Sequence, residues 1–403
     1  MNEHGGVGVS TAGLEDHFAD MVRWRRHLHR YPELSFQEKE TAAWIAERLR
    51  GFGLNPRTGV GGHGITVDIA GTRGGESSGR IVALRADIDA LPIQDRKSCE
   101  YASTVPGVMH ACGHDGHTAS LLGLAAWLSA RRDMFAGTVR LLFQPAEEIS
   151  PGGALPMIRD GALDSVSAIY GAHLWTPLET GTVGTRPGPV MAAADEFRLT
   201  VTGRGGHGGL PHETVDSVVI ASQIVLSWQT IVSRYVDPLQ AGVISVGSFQ
   251  AGGAFNVIAE TAQLIGTVRT FDEQVRERIE RAMHRMSADL CAMHGARADF
   301  EYLKGYPPVV NDEGCARLAL DVGRRLFGEK AVREMAPLMA GEDFAYYLKR
   351  TRGCFLFVGA GKPNTPTGYP HHHPMFDFDE SAMLTAARWL GALALTELAD
   401  RSE

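Results

Sequence analysis

Short, mostly apolar runs separated by helical stretches limit this chain to a few architectures. Ile81-Val82-Ala83-Leu84, Val139 to Phe143 and Val166 to Tyr170 are such runs. Their length and weak alternation fit strands buried on both faces of a parallel sheet. Leu14 to Arg30 has apolar residues at helical spacing (Leu14, Phe18, Met21, Val22) and stops before Pro32. Glu38 to Arg50 reads as a second helix, closed by Gly51 and Gly53, and Thr118 to Arg131 as a third. Strands alternating with helices predict an α/β fold. With 403 residues, more than a single core usually takes, two domains are expected.

The pattern changes at Arg186-Pro187-Gly188-Pro189. Beyond it Phe197, Leu199 and Val201 alternate as in a half-buried strand, and Thr214 to Arg234 is helical. Two further strands (Ala241 to Ser248, Thr261 to Thr270), a helix (Asp272 to His294) and a last strand (Ala298 to Leu303) complete a β-α-β-β-α-β order. That is the order of a ferredoxin-like domain. Helices at Asp312 to Phe327 and Glu380 to Leu398, with a strand at Phe355 to Val358, then return to the first pattern. The expected organisation is a catalytic α/β domain in two pieces, 14–188 and 305–403, interrupted by an α+β domain at 189–304.

Chemistry concentrates in Met109-His110-Ala111-Cys112-Gly113-His114-Asp115-Gly116-His117, which holds three imidazoles, a thiol and a carboxylate. Zinc and similar ions take Cys sulfur and His nitrogen together. Cys112 and His114 are two apart, so they cannot share a helix face and belong on a loop or first turn, with the helix starting near Asp115. A helix N-terminus also favours a thiolate. In parallel α/β sheets ligands bind beyond the carboxyl ends of the strands. Asp87 and Asp89, Glu147 and Glu148, and His173 all follow strand runs at that edge.

With one of His371, His372 and His373, these groups suffice for two divalent ions bridged by the Cys112 thiolate, a site able to activate water and polarise a carbonyl. Glu147 and Glu148, adjacent on an extended segment, are expected to point in opposite directions, one toward the metal and one left as general base. Taken singly, each group has an ordinary structural explanation: a solvated turn for the Glu pair, a packed His173, a surface His cluster. All of these explanations would have to hold together at one sheet edge.

Net charge is −8 with a pI near 6.1, which argues against a general nucleic-acid or anionic-membrane binder. No apolar run of spanning length is visible. Five scattered Cys argue against a disulfide framework and suit a reducing compartment, so the cytoplasm is expected.

Five motifs together resemble the M20 family of metallopeptidases, in its amidohydrolase branch. They are Arg85-Ala86-Asp87-Ile88-Asp89-Ala90-Leu91-Pro92, Met109 to Asp115, Phe143-Gln144-Pro145-Ala146-Glu147-Glu148, Gly205-Gly206-His207-Gly208 and Ala340-Gly341-Glu342-Asp343-Phe344. That branch includes hippurate hydrolases and indole-acetyl-amino-acid hydrolases. The resemblance implies a larger zinc-peptidase-like domain, and a smaller lid that also forms a homodimer. It implies two divalent ions (Mn, Zn, Co or Ni) held by Cys112, His114, Glu148, His173 and His372, with Glu147 as the catalytic base. His372 is chosen because it lies two residues before Pro374. Asp89 matches the Asp that orients a ligand. Asp87 stands where many relatives have a metal-binding His, which suggests that His114 supplies that function here.

In the lid His207 resembles an oxyanion-stabilising His that reaches a neighbouring subunit's site, and Asn256 and Arg269 resemble substrate-binding positions. Flanking glycines favour His207 over His212. The implied activity is hydrolysis of an N-acyl amino acid. A dipeptidase or carboxypeptidase of the same family is the alternative, and a non-catalytic metal-binding protein on the same scaffold a more distant one.

Overall fold

The computed structural model describes residues 10–73, 79–362 and 368–399. The chain divides into two compact units. The larger takes the chain up to Gly188, Val310–Ala336 and the chain from Asp343; the smaller takes Pro189–Val309 and Pro337–Glu342.

Among the described residues the larger unit holds an eight-stranded mixed sheet. Its order is Arg57–Val60, Gly64–Ala70, Thr138–Gln144, Ile81–Asp87, Val166–Glu179, Gly353–Gly361, Val183–Thr185, Val332–Glu334. The apolar runs read from sequence form its centre, where Thr138–Gln144, Ile81–Asp87, Val166–Glu179 and Gly353–Gly361 run parallel. Val82, Leu84, Val139, Leu141, Ile169 and Leu356 are fully buried there, as strands covered on both faces require. Parallel pairing stops at Gly64–Ala70, which runs antiparallel with Ile65 opposite Phe143.

The helix after the Cys/His motif spans His114–Ser129 and is buried along all but its last residue. A helix apolar nearly all round belongs inside a core. It packs against both Phe18–Arg30 and Ser381–Leu398, and those contacts fix its first turn, where the site begins.

A buried ionic cluster ties these helices together. Arg25, fully buried, donates to Asp115 at 2.8 Å, Asp377 at 2.9 Å and Glu380 at 3.2 Å. His29 bridges Asp115 (2.8 Å) and Asp95 (3.3 Å). Burial pushes the Asp95 carboxyl up, but hydrogen bonds from His29 and from the Ser103 and Lys97 amides outweigh it and hold the group at about 2, against an ordinary 3.8. A carboxylate whose pKa falls on folding binds fewer protons folded than unfolded between those two values. Its stabilisation is therefore full above about pH 4 and lost as pH falls toward about 2. Asp95→Asn is expected to flatten the urea-midpoint curve across that window; an unchanged slope would show that other groups set acid stability.

In the smaller unit the strand order is Gly242–Ala251, Thr261–Thr270, Ala193–Thr202, Arg297–Tyr306, all antiparallel. Helices Ser217–Thr230 and Glu273–Met293 begin at Asp216 and Asp272, whose carboxylates accept from amides of the first turn. Phe197, Leu199 and Val201 point into a core with Trp228, Leu264 and Met283, the face their alternation predicts. This is the ferredoxin-like order.

Candidate metal centre

Gly113 sits between the thiol and the imidazole of the motif, at φ +103°, in the left-handed region that side chains avoid. It caps helix His114–Ser129, and its turn lets residues two apart converge. One donor atom each from Cys112, His114 and His173 lie within 4.8 Å of one another.

Two of the imidazoles have their tautomers set by backbone carbonyls. His173 Nδ1 donates to the Leu174 carbonyl (2.9 Å), which leaves Nε2 facing Cys112 Sγ at 3.5 Å. His114 Nδ1 donates to the Asp89 carbonyl (3.0 Å), with Asp89 Oδ1 at 3.2 Å. Its Nε2 is therefore turned toward the carboxylates. Fixing one nitrogen so that the other is presented is the usual orientation of a metal-binding His. His173 lies inside strand Val166–Glu179, opposite Phe357, and not in a loop past the strand as the sequence suggested. The run beyond Tyr170 holds Gly171, His173 and Trp175 and does not look strand-like, yet it stays paired.

The Glu pair also departs from expectation. Glu147 Oε2 and Glu148 Oε1 both approach His114 Nε2, at 4.0 and 3.7 Å, and so do not point apart. The segment is not extended: Ala146 has φ +53° and turns the chain. Glu148 is further seated by its amide, which donates to Asp89 Oδ2 at 3.0 Å.

Of the three consecutive histidines, two have one ring nitrogen bound by a backbone amide, though His371 Nδ1 also lies 3.9 Å from Cys112 Sγ. His371 Nε2 accepts from the Thr176 amide (3.3 Å), and its ring stacks on Trp175. His373 Nδ1 accepts from the Met375 amide (3.0 Å), and its ring stacks on Tyr369. His372, at φ +66°, anchors its own amide on the Ala111 carbonyl (2.8 Å) and brings Nε2 to 3.5 Å from Glu148 Oε1. It forms a second donor group with Cys112 and Glu148, again within 4.8 Å.

Asp87 forms a further donor group with His114 and His117, its Oδ2 3.7 Å from His114 Nε2, and both of its oxygens are also hydrogen-bonded. Its Oδ1 accepts from His117 Nδ1 at 2.6 Å and its Oδ2 from Arg85 at 2.7 Å. His117 carries that proton on Nδ1 because its Nε2 accepts from the Leu174 amide at 2.9 Å. Burial raises the Asp87 pKa, but His114, His117 and Arg85 overcome it and hold the carboxyl well below its usual range. Around His114, burial is outweighed by Asp87 and Asp89, which draw positive charge onto the imidazole. Burial, then Glu148, push the Cys112 thiol up against the opposing pull of His114 and His372, and a divalent ion would favour the thiolate further.

The fit to metal rests on two atoms. His114 Nε2 and Glu148 Oε1 are buried and have no hydrogen-bond partner among the described residues. Buried polar atoms are rarely left without a partner, and both of these belong to the donor groups. Sequence reasoning missed Ser35 and Glu38, which touch Asp89 and Ala146; their signal, a polar stretch before a helix, is too common to single out.

In the smaller unit His207 is exposed, and Val257, the residue after Asn256, pairs with it. Arg269 lies near the far end of strand Thr261–Thr270 from them, since Glu260 bonds Gly203 at the near end. The separation is roughly 25 Å along the strand. Arg269 is half-buried, donates to Thr267 and to the Val268 carbonyl, and has its pKa lowered by burial. The neighbouring Asp195 is taken by Arg276 and Tyr302.

Residues 83–396 match the peptidase family M20/M25/M40. The chain is 49% identical to an N-acyl-L-amino acid amidohydrolase of Geobacillus stearothermophilus over 302 residues, 74% of this chain and 80% of that one. It is 44% identical to the N-acetyl-L-cysteine deacetylase of Bacillus subtilis (strain 168), covering 92% of this chain and 86% of that one. Its fold is similar to the crystal structure of the Bacillus subtilis YXEP protein, described as a dinuclear metal binding peptidase from the M20 family. The TM-score is 0.81 and the identity 35%, over 95% of this chain and 99% of that one. This protein therefore belongs to the M20 peptidase family, in its amidohydrolase branch, and is a hydrolase. No helix among the described residues is long and apolar enough to cross a membrane.

Proposed function

We infer that this protein hydrolyses the amide bond of N-acyl amino acids, releasing a carboxylic acid and a free amino acid. The observation that carries the reading is that Cys112 belongs to two donor groups at once. One contains His114 and His173, the other Glu148 and His372. A thiolate shared between two groups suits a pair of divalent ions, with Mn, Zn, Co and Ni all compatible with this donor set. When bound, such a pair supplies an activated water and a polarised carbonyl.

The chain's own residues do the rest. Glu147 accepts a proton from the attacking water and delivers it to the leaving amine. Asp89 holds His114 by its carbonyl and carboxylate, and so aims Nε2. His207 supports the oxyanion in a neighbouring subunit's site. Asn256, beside it, and Arg269, about 25 Å away along the strand, hold the amino-acid end from different subunits, and a guanidinium suits a carboxylate with two bonds. The reading includes a homodimer formed through the smaller unit, which acts as a lid, and a cytoplasmic site of action.

The test is release of free amino acid from N-acetyl, benzoyl (hippurate) and indole-acetyl amino acids, alongside dipeptides. Chelated protein is expected to be inactive and to recover on addition of manganese or zinc, with N-acyl amino acids preferred. Release from dipeptides alone would move the assignment to a peptidase. No release with any metal, while metal still binds, would overturn the hydrolytic reading.

A further inference from the structure

Pro32-Glu33-Leu34-Ser35-Phe36-Gln37-Glu38 links the first two helices and contributes no atom to the donor groups, yet it grips both loops that carry them. On one side Leu34 bridges to Ala90, and the Ala90 amide donates to the Glu33 carbonyl at 2.8 Å. There Ser35 Oγ donates to Asp89 Oδ2 at 2.7 Å. That same Oδ2 accepts the Glu148 amide. On the other side Glu38, fully buried, places Oε1 at 2.8 Å from the Ala146 amide and 3.0 Å from the Phe36 amide.

Ala146 and Phe36 both have positive φ, at 53° and 65°. Residues other than glycine hold that conformation only when their surroundings enforce it. One buried carboxylate oxygen ties the two together. The Ala146 carbonyl is also held, by the Gly153 amide at 2.9 Å. The segment is itself anchored, because Glu33 accepts the amides of Glu40 and Thr41 at the start of helix Lys39–Gly51.

We propose that Ser35 and Glu38 are positioning residues of the hydrolytic site. Glu38 holds Ala146 in the turn that makes the Glu147 and Glu148 carboxylates converge on His114, and Ser35 locks Asp89 against the Glu148 amide. The role rests on the hydrolase reading given above. It differs from that reading in acting entirely through other residues: neither side chain touches substrate or reacting atoms.

The experiment pairs kinetics with amide hydrogen exchange of the metal-free protein. Glu38→Leu keeps the bulk of the side chain and removes the acceptor. Exchange at the Ala146 amide should then quicken by about 10–100-fold, the scale of losing one buried hydrogen bond. With metal restored, kcat should fall about 100-fold, as small misplacements of reacting groups do, while KM stays close to wild type. Glu38→Gln keeps an oxygen acceptor in place and should restore most of both losses, which a bulk packing role would not distinguish from Leu. Ser35→Ala should quicken exchange at Glu148 and lower kcat by about tenfold, and it decides the matter if Glu38→Leu does not fold.

Folded variants with unchanged exchange and unchanged kcat would overturn the proposal, as would a Gln variant no better than Leu. If exchange responds as expected but the wild type hydrolyses no N-acyl amino acid, the activity reading fails and the positioning role stands. If the wild type is active and the variants match it in both measurements, the activity reading stands and the positioning role fails.

Discussion

Glu147→Gln is expected to lower kcat by about 10²–10⁴-fold, the range attributed to a positioned general base, while two divalent ions remain bound. Glutamine is nearly isosteric with glutamate and fills the same largely buried position, where Glu147 is 7% exposed. It cannot accept a proton at the working pH. The neighbouring Glu148→Gln should behave differently. Glu148 Oε1 shares a donor group with Cys112 and His372, and its amide is fixed on Asp89; its amide variant should lose an ion as well as turnover. Both carboxylates reach His114, so distance to that ring alone does not separate the roles, and the paired measurement does. Metal content by elemental analysis and kcat on the best N-acyl substrate give four outcomes for the two variants. An ion lost from the Gln variant at 147 and two ions kept in the one at 148 would reverse the assignment.

The sequence exposes this site unevenly, for physical reasons that can be traced to particular residues. Cys112 and His114 are legible because a Cys-Gly-His turn is local: Gly113 makes the convergence, and three consecutive residues state it. The central strands are legible because burial on both faces leaves apolar runs. His173 was placed past its strand because strand length depends on a partner, here Gly353–Gly361, which follows some 180 residues later. Val183–Thr185 and Val332–Glu334 have three residues each, too few to show any period, and are strands only through their neighbours. The convergence of Glu147 and Glu148 depends on a hydrogen bond from Ala146 to Glu38, 108 positions earlier. A side-chain direction set across that distance leaves no periodic trace. Nothing in His371, His372 and His373 themselves separates them in sequence, because they differ in the rings they meet, Trp175 for His371 and Tyr369 for His373.

Cys112→Ala should disturb both ions, and His372→Ala mainly one. This asymmetry follows from the two donor groups, since Cys112 belongs to both and His372 to one. Losing a residue that only supports a ligand costs about 10–100-fold in metal affinity, and loss of a shared ligand should exceed that range. Turnover should fall to background in the Cys variant, because a single remaining ion would have neither its bridging anion nor its neighbour. Serine is a sterner comparison than alanine. It preserves shape and polarity near Glu148 and His173, but a hydroxyl is far harder to ionise than a thiol, and it should recover little of the affinity. Cobalt loading gives a readout independent of activity: thiolate-to-cobalt absorption present in the wild type should vanish in both Cys112 variants and persist in His372→Ala. Burial opposes ionisation of this thiol while His114 and His372 favour it, so the metal-free protein supplies the baseline for the cobalt signal. Two ions bound at wild-type affinity in Cys112→Ala would remove the shared thiolate from the site and leave His114, His173, Glu148 and His372 as separate ligands.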